Sequence, residues 1–225
     1  MISIRQDVME RITDIKQIMS LIGDIESNEL SSPSVDHLSL NPIMKSSATL
    51  ALYNLIESTT TKCLKLIHDR IIAERVRFTH LNPNLQKLFI TCYENQRRKE
   101  GANKSNADIT ITIYSLMSGT SNVCLEYKEI ADHAKLYSGN LEAEVIEKVL
   151  KKYGLNFQEK EPALVKIKEA RNTLAHGNKG FQEFGRDLPR KTAEDNLIKV
   201  EAYINSLLDA ISDYIDNKLY LSPTD

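Results

Sequence analysis

A chain of 225 residues with 41% hydrophobic content can bury a sizeable core and is expected to form one elaborated domain over residues 1–225. Its 29 basic and 31 acidic residues nearly cancel, which excludes the strongly basic footprint of a dedicated nucleic-acid binder and leaves such a role to local patches. There is no run of about 18 apolar residues, and the N-terminus MISIRQDVMERI carries charge too early for a secretion signal, so a soluble cytoplasmic protein without a membrane partner is expected.

Few glycines and prolines, with abundant Leu, Ile, Lys and Glu, lean toward helix. Over residues 3–27, Ile4, Val8, Ile15, Ile18, Ile22 and Ile25 form one helical stripe. SNELSSPSVDHLS then reads as a loop. A long core helix is predicted over 42–76, capped by Asn41 with Pro42 at its first position and a wide apolar face from Ala48 to Ile71. Asn82 and Pro83 repeat that start, and Gly101 is the expected stop. ADITITIYSL alternates Ile109, Ile111 and Ile113 with threonines, the period-two pattern of a strand. A small β insertion is therefore expected around residues 107–125, while 116–138 stays open. SGNLEAEVIEKVLKKYGL predicts a helix capped by Asn140 and ended by Gly154. Two further helices follow, over 162–176 from Pro162 and over 192–219 from Thr192 as N-cap. The expected fold is mainly α.

Most motif classes are missing: no P-loop, dinucleotide fingerprint, HExxH or nucleophile elbow. Cys63, Cys92 and Cys124 are far apart, with no CxxC pair, and are expected as buried reduced thiols. His37, His68, His80 and His133 stand apart without metal-ligand spacing and read as surface or helix-end residues, so neither a metal nor a cofactor is expected. What remains is KEARNTLAHG. An Arg followed by a His is weak alone, and RVRFTH, with Arg75 and His80, matches it equally. Context separates the two. Asn172 precedes His176 by four residues, about 40° apart on a helix, where it could orient the imidazole. Glu169 extends that polar row, Ala175 leaves room for close approach, and Gly177 ends the helix with His176 at an exposed rim. The negative end of a helix dipole favours imidazolium, and a guanidinium fork matches phosphate. The set fits metal-independent RNA cleavage, with His176 moving a proton and Arg171 stabilising charge. One histidine supplies only an acid or a base, so a two-fold dimer would complete the pair. The plain alternative is two cations that merely suit a helix C-terminus.

The string EARNTLAHG resembles the signature of HEPN domains (higher eukaryotes and prokaryotes nucleotide-binding). ALYNLIESTTTKCL, SGNLEAEVIEKVLKKYGL and the C-terminal helix are similar to parts of HEPN-like nucleases from bacterial toxin–antitoxin and phage-defence loci. The resemblance implies an antiparallel HEPN-like helical bundle and a nuclease site shared across a homodimer. Arg171 and His176 would be catalytic, with Asn172 beside them. It also implies an RNA substrate and a toxin or antiviral defence role with an antitoxin or other defence protein as partner. The alternative within the family is a non-catalytic module binding nucleotide, RNA or a regulatory partner. Asn178 stands where adenylylation-controlled toxins carry Tyr, so that control is not implied. Asn54, Glu57 and Ser58 on the long helix could line the same cleft. Arg186, Arg190 and Lys191, and separately Arg97, Arg98 and Lys99, are candidate RNA contacts.

Overall fold

The computed structural model describes residues 1–27, 37–100, 106–137 and 139–223, with every side chain in them except those of residues 37, 38, 97, 99, 100 and 106–109. The described residues are all-α: helices α1 (Ile2–Glu26), α2 (His37–Ala73), α3 (Pro83–Glu100), α4 (Asn106–Met117), α5 (Tyr127–Ala134), α6 (Ala143–Lys152), α7 (Pro162–Ala175), α8 (Phe181–Asp187) and α9 (Arg190–Asp216), with a 3-10 turn at Phe78–His80.

The contacts gather into two compact units. One holds Met1–Thr60, Leu141–Ala143 and Glu159–Ser206, and the other holds Thr61–Asn140, Glu144–Gln158 and Leu207–Asp225. In the first unit α1 buries Ile4, Val8, Ile12, Ile15, Met19, Ile22 and Ile25, the stripe its spacing calls for. α1 is tied to α2 by Arg11 Nη1 donating to Ser58 Oγ at 3.0 Å, and to α9 by Lys16 and Glu201 at 2.9 Å. α8 is seated on α2 by backbone acceptors: Ser46 Oγ donates to the Phe181 carbonyl at 2.7 Å and Lys45 Nζ to that of Leu188 at 3.1 Å. Gly185 makes that seat possible, since a Cβ there would stand 1.9 Å from the Pro42 carbonyl oxygen. Close backbone approach is what this glycine provides.

The second unit is built around α3, which packs against α4 and α5. Asn82 caps α3 as expected, its Oδ1 accepting the Leu85 N–H at 2.9 Å, with Pro83 at the first helical position. Its amide also donates to the carbonyls of Tyr153, at 3.0 Å, and Leu219, at 2.9 Å. His68, expected at the surface, is instead fully buried. Its Nε2 meets the Tyr153 hydroxyl at 2.9 Å and its ring stands edge-on to Phe89. His80 is exposed and His133 half-buried; His37 begins α2. Cys63 and Cys92 are buried, whereas Cys124, expected to be buried, is exposed.

Besides α6, which starts at Ala143 so that Asn140 is not its cap, three elements differ from those expected. The β insertion predicted around 107–125 is absent among the described residues: Asn106–Met117 is helix, and beyond it only an isolated bridge joins Arg77 to Asn122. A helix places Ile113 and Leu116 three apart on one inward side and turns Ile111 out, 63% exposed. The second difference is at α2, which begins at His37, so Asn41 and Pro42 lie inside it. Asn41 serves another purpose, its amide donating to Glu26 Oε1 at 3.2 Å. The third is at α9, which starts at Arg190, two residues before the expected cap Thr192. Of the loop expected at 27–39, residues 28–36 lie outside the described residues, as does the expected stop at Gly101.

Candidate active site

Helix α7 is fixed at both ends. Glu161 caps its start, accepting the Ala163 N–H at 2.9 Å, and Pro162 fills the first position. Ala163, Leu164, Ile167, Ala170 and Leu174 are buried and set the helix's rotation. At the other end Gly177 takes φ +69°, the left-handed region open to glycine. Its N–H bonds the Leu174 carbonyl at 3.2 Å, and the Asn178 N–H reaches back to Thr173 at 3.0 Å. This Schellman pair stops the helix directly after His176. His176 is thus the C-cap, its own N–H donating to the Asn172 carbonyl at 3.0 Å. Its imidazole is exposed and has no hydrogen-bond partner among the described residues.

Arg171 is held, not free. Its Cζ lies 5.0 Å from the centroid of the Tyr53 ring, within cation–π range. Its Nη1 donates to Asn172 Oδ1 at 3.0 Å. Tyr53, on α2, is fully buried and its hydroxyl accepts the Leu141 N–H at 3.4 Å. The next residue, Glu142, pairs with Lys168 at 2.5 Å, three residues before Arg171 on α7. The aromatic seat is therefore built from three chain segments. It fixes one face of the guanidinium and leaves most of the donor fork uncommitted. Asn172, expected to orient the imidazole with its side chain, serves both residues through different atoms: its amide oxygen holds Arg171 and its backbone carbonyl takes the His176 N–H.

The remaining candidates divide. Glu169 is exposed on α7 and makes no ion pair among the described residues. Asn54 is exposed and Glu57 half-buried. Glu57 stands one turn after Tyr53, on the side of α2 that seats Arg171. Ser58 is occupied by Arg11. Arg186 and Lys191 are exposed and uncommitted. Arg190 is a structural tie: its Nε lies 2.7 Å from Glu194, and its guanidinium covers Gly23, where a Cβ would meet it at 2.8 Å. Arg98 is exposed on α3, and the side chains of Arg97 and Lys99 lie outside those described. Among the described residues no three His, Cys, Asp or Glu side chains converge as metal ligands would. No helix of the described residues is long and apolar enough to cross a membrane.

Tyr53 went unpredicted because an aromatic inside ALYNLIE reads as core, and it is core. Only its ring face, turned to α7, serves the site. The arrangement offers a held cation five residues before an exposed imidazole at a helix end, groups of the kinds that serve charge neutralisation and proton transfer at a phosphodiester. Compared with known sequences, the chain matches the MAE_28990-like HEPN family over residues 2–220. No curated protein and no solved structure matches it.

Proposed function

The chain belongs to the MAE_28990-like HEPN family, of a superfamily commonly associated with ribonuclease activity, and on that premise we propose that it is a metal-independent endoribonuclease acting as a homodimer. The observation that carries the reading is Arg171 seated on Tyr53 and held by Asn172, five residues before an unpartnered, exposed His176. A guanidinium fixed in this way is placed before substrate arrives, so less ordering is needed at the transition state. The ribose 2′-oxygen attacks phosphorus, its proton passing to one imidazole. The bond to the 5′-oxygen breaks, and that oxygen takes a proton from a second imidazole. Arg171 stabilises the charge on the phosphorane-like transition state. The products are a 2′,3′-cyclic phosphate and a 5′-hydroxyl. Because one chain brings one His176, the second imidazole comes from a second copy related by a two-fold axis. The role we propose is a toxin or antiviral defence effector, with an antitoxin or defence protein as partner.

The test is cleavage of a labelled RNA pool in excess EDTA by wild type and by His176→Ala. Wild type cleaves, leaving cyclic-phosphate ends, and the variant falls by about 10²-fold to 10⁴-fold while its melting curve is unchanged. Failure of the wild-type homodimer and of its complex with its natural partners to cleave overturns the reading in favour of a non-catalytic binding module. Activity that vanishes with EDTA overturns the mechanism.

A further inference from the structure

Beside the candidate active site, on the next face of α7, lies a cavity of about 270 Å³. Polar side chains make up part of its lining. Lys166, Glu169 and Thr173 come from α7, Thr192 and Asn196 from α9, and Phe184 from α8 supplies an aromatic wall. Asn196 is 9% exposed, yet its amide makes no hydrogen bond to any described residue. The hydroxyls of Thr173 and Thr192 are likewise uncommitted. The Asn196 amide atoms are not sealed from solvent, so they are open to a ligand as well as to water. Asn196 and both threonines line this cavity, whose volume is somewhat below the ordinary range of ligand pockets and suits one small group.

The charge balance narrows the occupant. One lysine and one glutamate border the cavity, so it carries no net positive field to select phosphate. An amide offers a donor and an acceptor side by side, the complement of a base edge, and the Phe184 ring offers a stacking face. Thr173 lies three residues before His176, about 60° around the helix and about 4.5 Å along its axis. A base next to a phosphate at His176 is within that reach. We propose that this cavity receives one unstacked nucleobase of the RNA substrate, read by Asn196 and Thr192, and thereby sets which linkage is cut. This rests on the ribonuclease reading, and it assigns Asn196 and Thr192 as specificity residues.

The test uses five-nucleotide 2′-O-methyl RNA strands, which cannot be cleaved: all-U, and U with a single central A, C or G. Fluorescence anisotropy on the full chain gives four affinities. Wild type is expected to prefer one base by about tenfold or more, the discrimination a good bidentate pair supplies. Asn196→Leu, similar in volume, and Thr192→Val, a rim change that keeps the fold if the first does not, each reduce the spread to about threefold or less. Equal binding of all four strands, binding of none, or a spread unchanged in the variants overturns the proposal. Cleavage of unblocked RNA separates the two readings. A wild type that binds with a base preference but never cuts sinks the ribonuclease reading and keeps the pocket. One that cuts without preference does the reverse.

Discussion

His68 is the residue where burial most plainly overrules sequence expectation. A lone histidine in a helical stretch carries no sign of its depth, and surface placement is the ordinary expectation. Yet it is enclosed by Phe89, Tyr127 and Tyr153, and burial pushes its pKa down to about 4, against a smaller opposing pull from the Leu125 backbone. The folded protein therefore holds it neutral where the unfolded chain, at about 6.5, already takes a proton. Its contribution to stability is complete above that value and is lost as pH falls from about 6.5 to about 4, by about 1.4 kcal/mol per unit and about 3 kcal/mol in all. Urea titrations at pH 7 and pH 4.5 should show this loss, and His68→Gln should reduce it by that amount; a pH dependence identical in the variant would contradict the assignment. At the candidate site the balance of legibility is different. Arg171, Asn172 and His176 were readable because spacing on a helix fixes who can share a turn, and the stop at Gly177 was readable from its residue type. Tyr53 and Asn196 were not, since each lies on another helix and only tertiary packing brings it to α7.

Among the elements, α4 shows how local pattern misleads. ITITIY has the β-branched alternation of a strand, and intrinsic preference for a pleated surface is a weak prior that tertiary context overrides. Helix was the outcome that buried Leu116 and half-buried Ile113, at the cost of leaving Ile111, Tyr114 and Met117 exposed. α1, α7 and α9 were legible because long three–four periodicity has one reading. Their ends were less so: α2 and α9 both begin before the residue that looked like a cap, because a polar side chain inside a helix can be satisfied elsewhere, as Asn41 is by Glu26. Two glycines around the site separate strain from collision. Gly177 has φ +69° and open space beside it, so Gly177→Ala meets only the left-handed backbone penalty, about 1 kcal/mol. Gly185 is packed on Pro42, so Gly185→Ala must push α8 off α2 and should cost about 3 kcal/mol or more. Thermal melts of the two variants rank them; equal shifts would mean that α8 is not seated as described.

For the whole molecule, a match over residues 2–220 fixes the family to which the chain belongs, and its contacts gather into two compact units. The predominance of helix was legible from composition; the division into units was not, because α2 and α9 each supply residues to both and no linker marks a boundary. On the proposed mechanism one chain carries half of a nuclease site, since acid and base both require a His176. Subunit mixing tests this directly. Wild type and His176→Ala are combined at constant total concentration, exchanged to equilibrium, and assayed for RNA cleavage in EDTA. If both imidazoles of a dimer are needed, mixed dimers are dead and activity follows the square of the wild-type fraction, so that about a quarter remains at equal proportions. A straight-line fall, leaving about a half, would mean that each chain works alone and that the composite site does not exist.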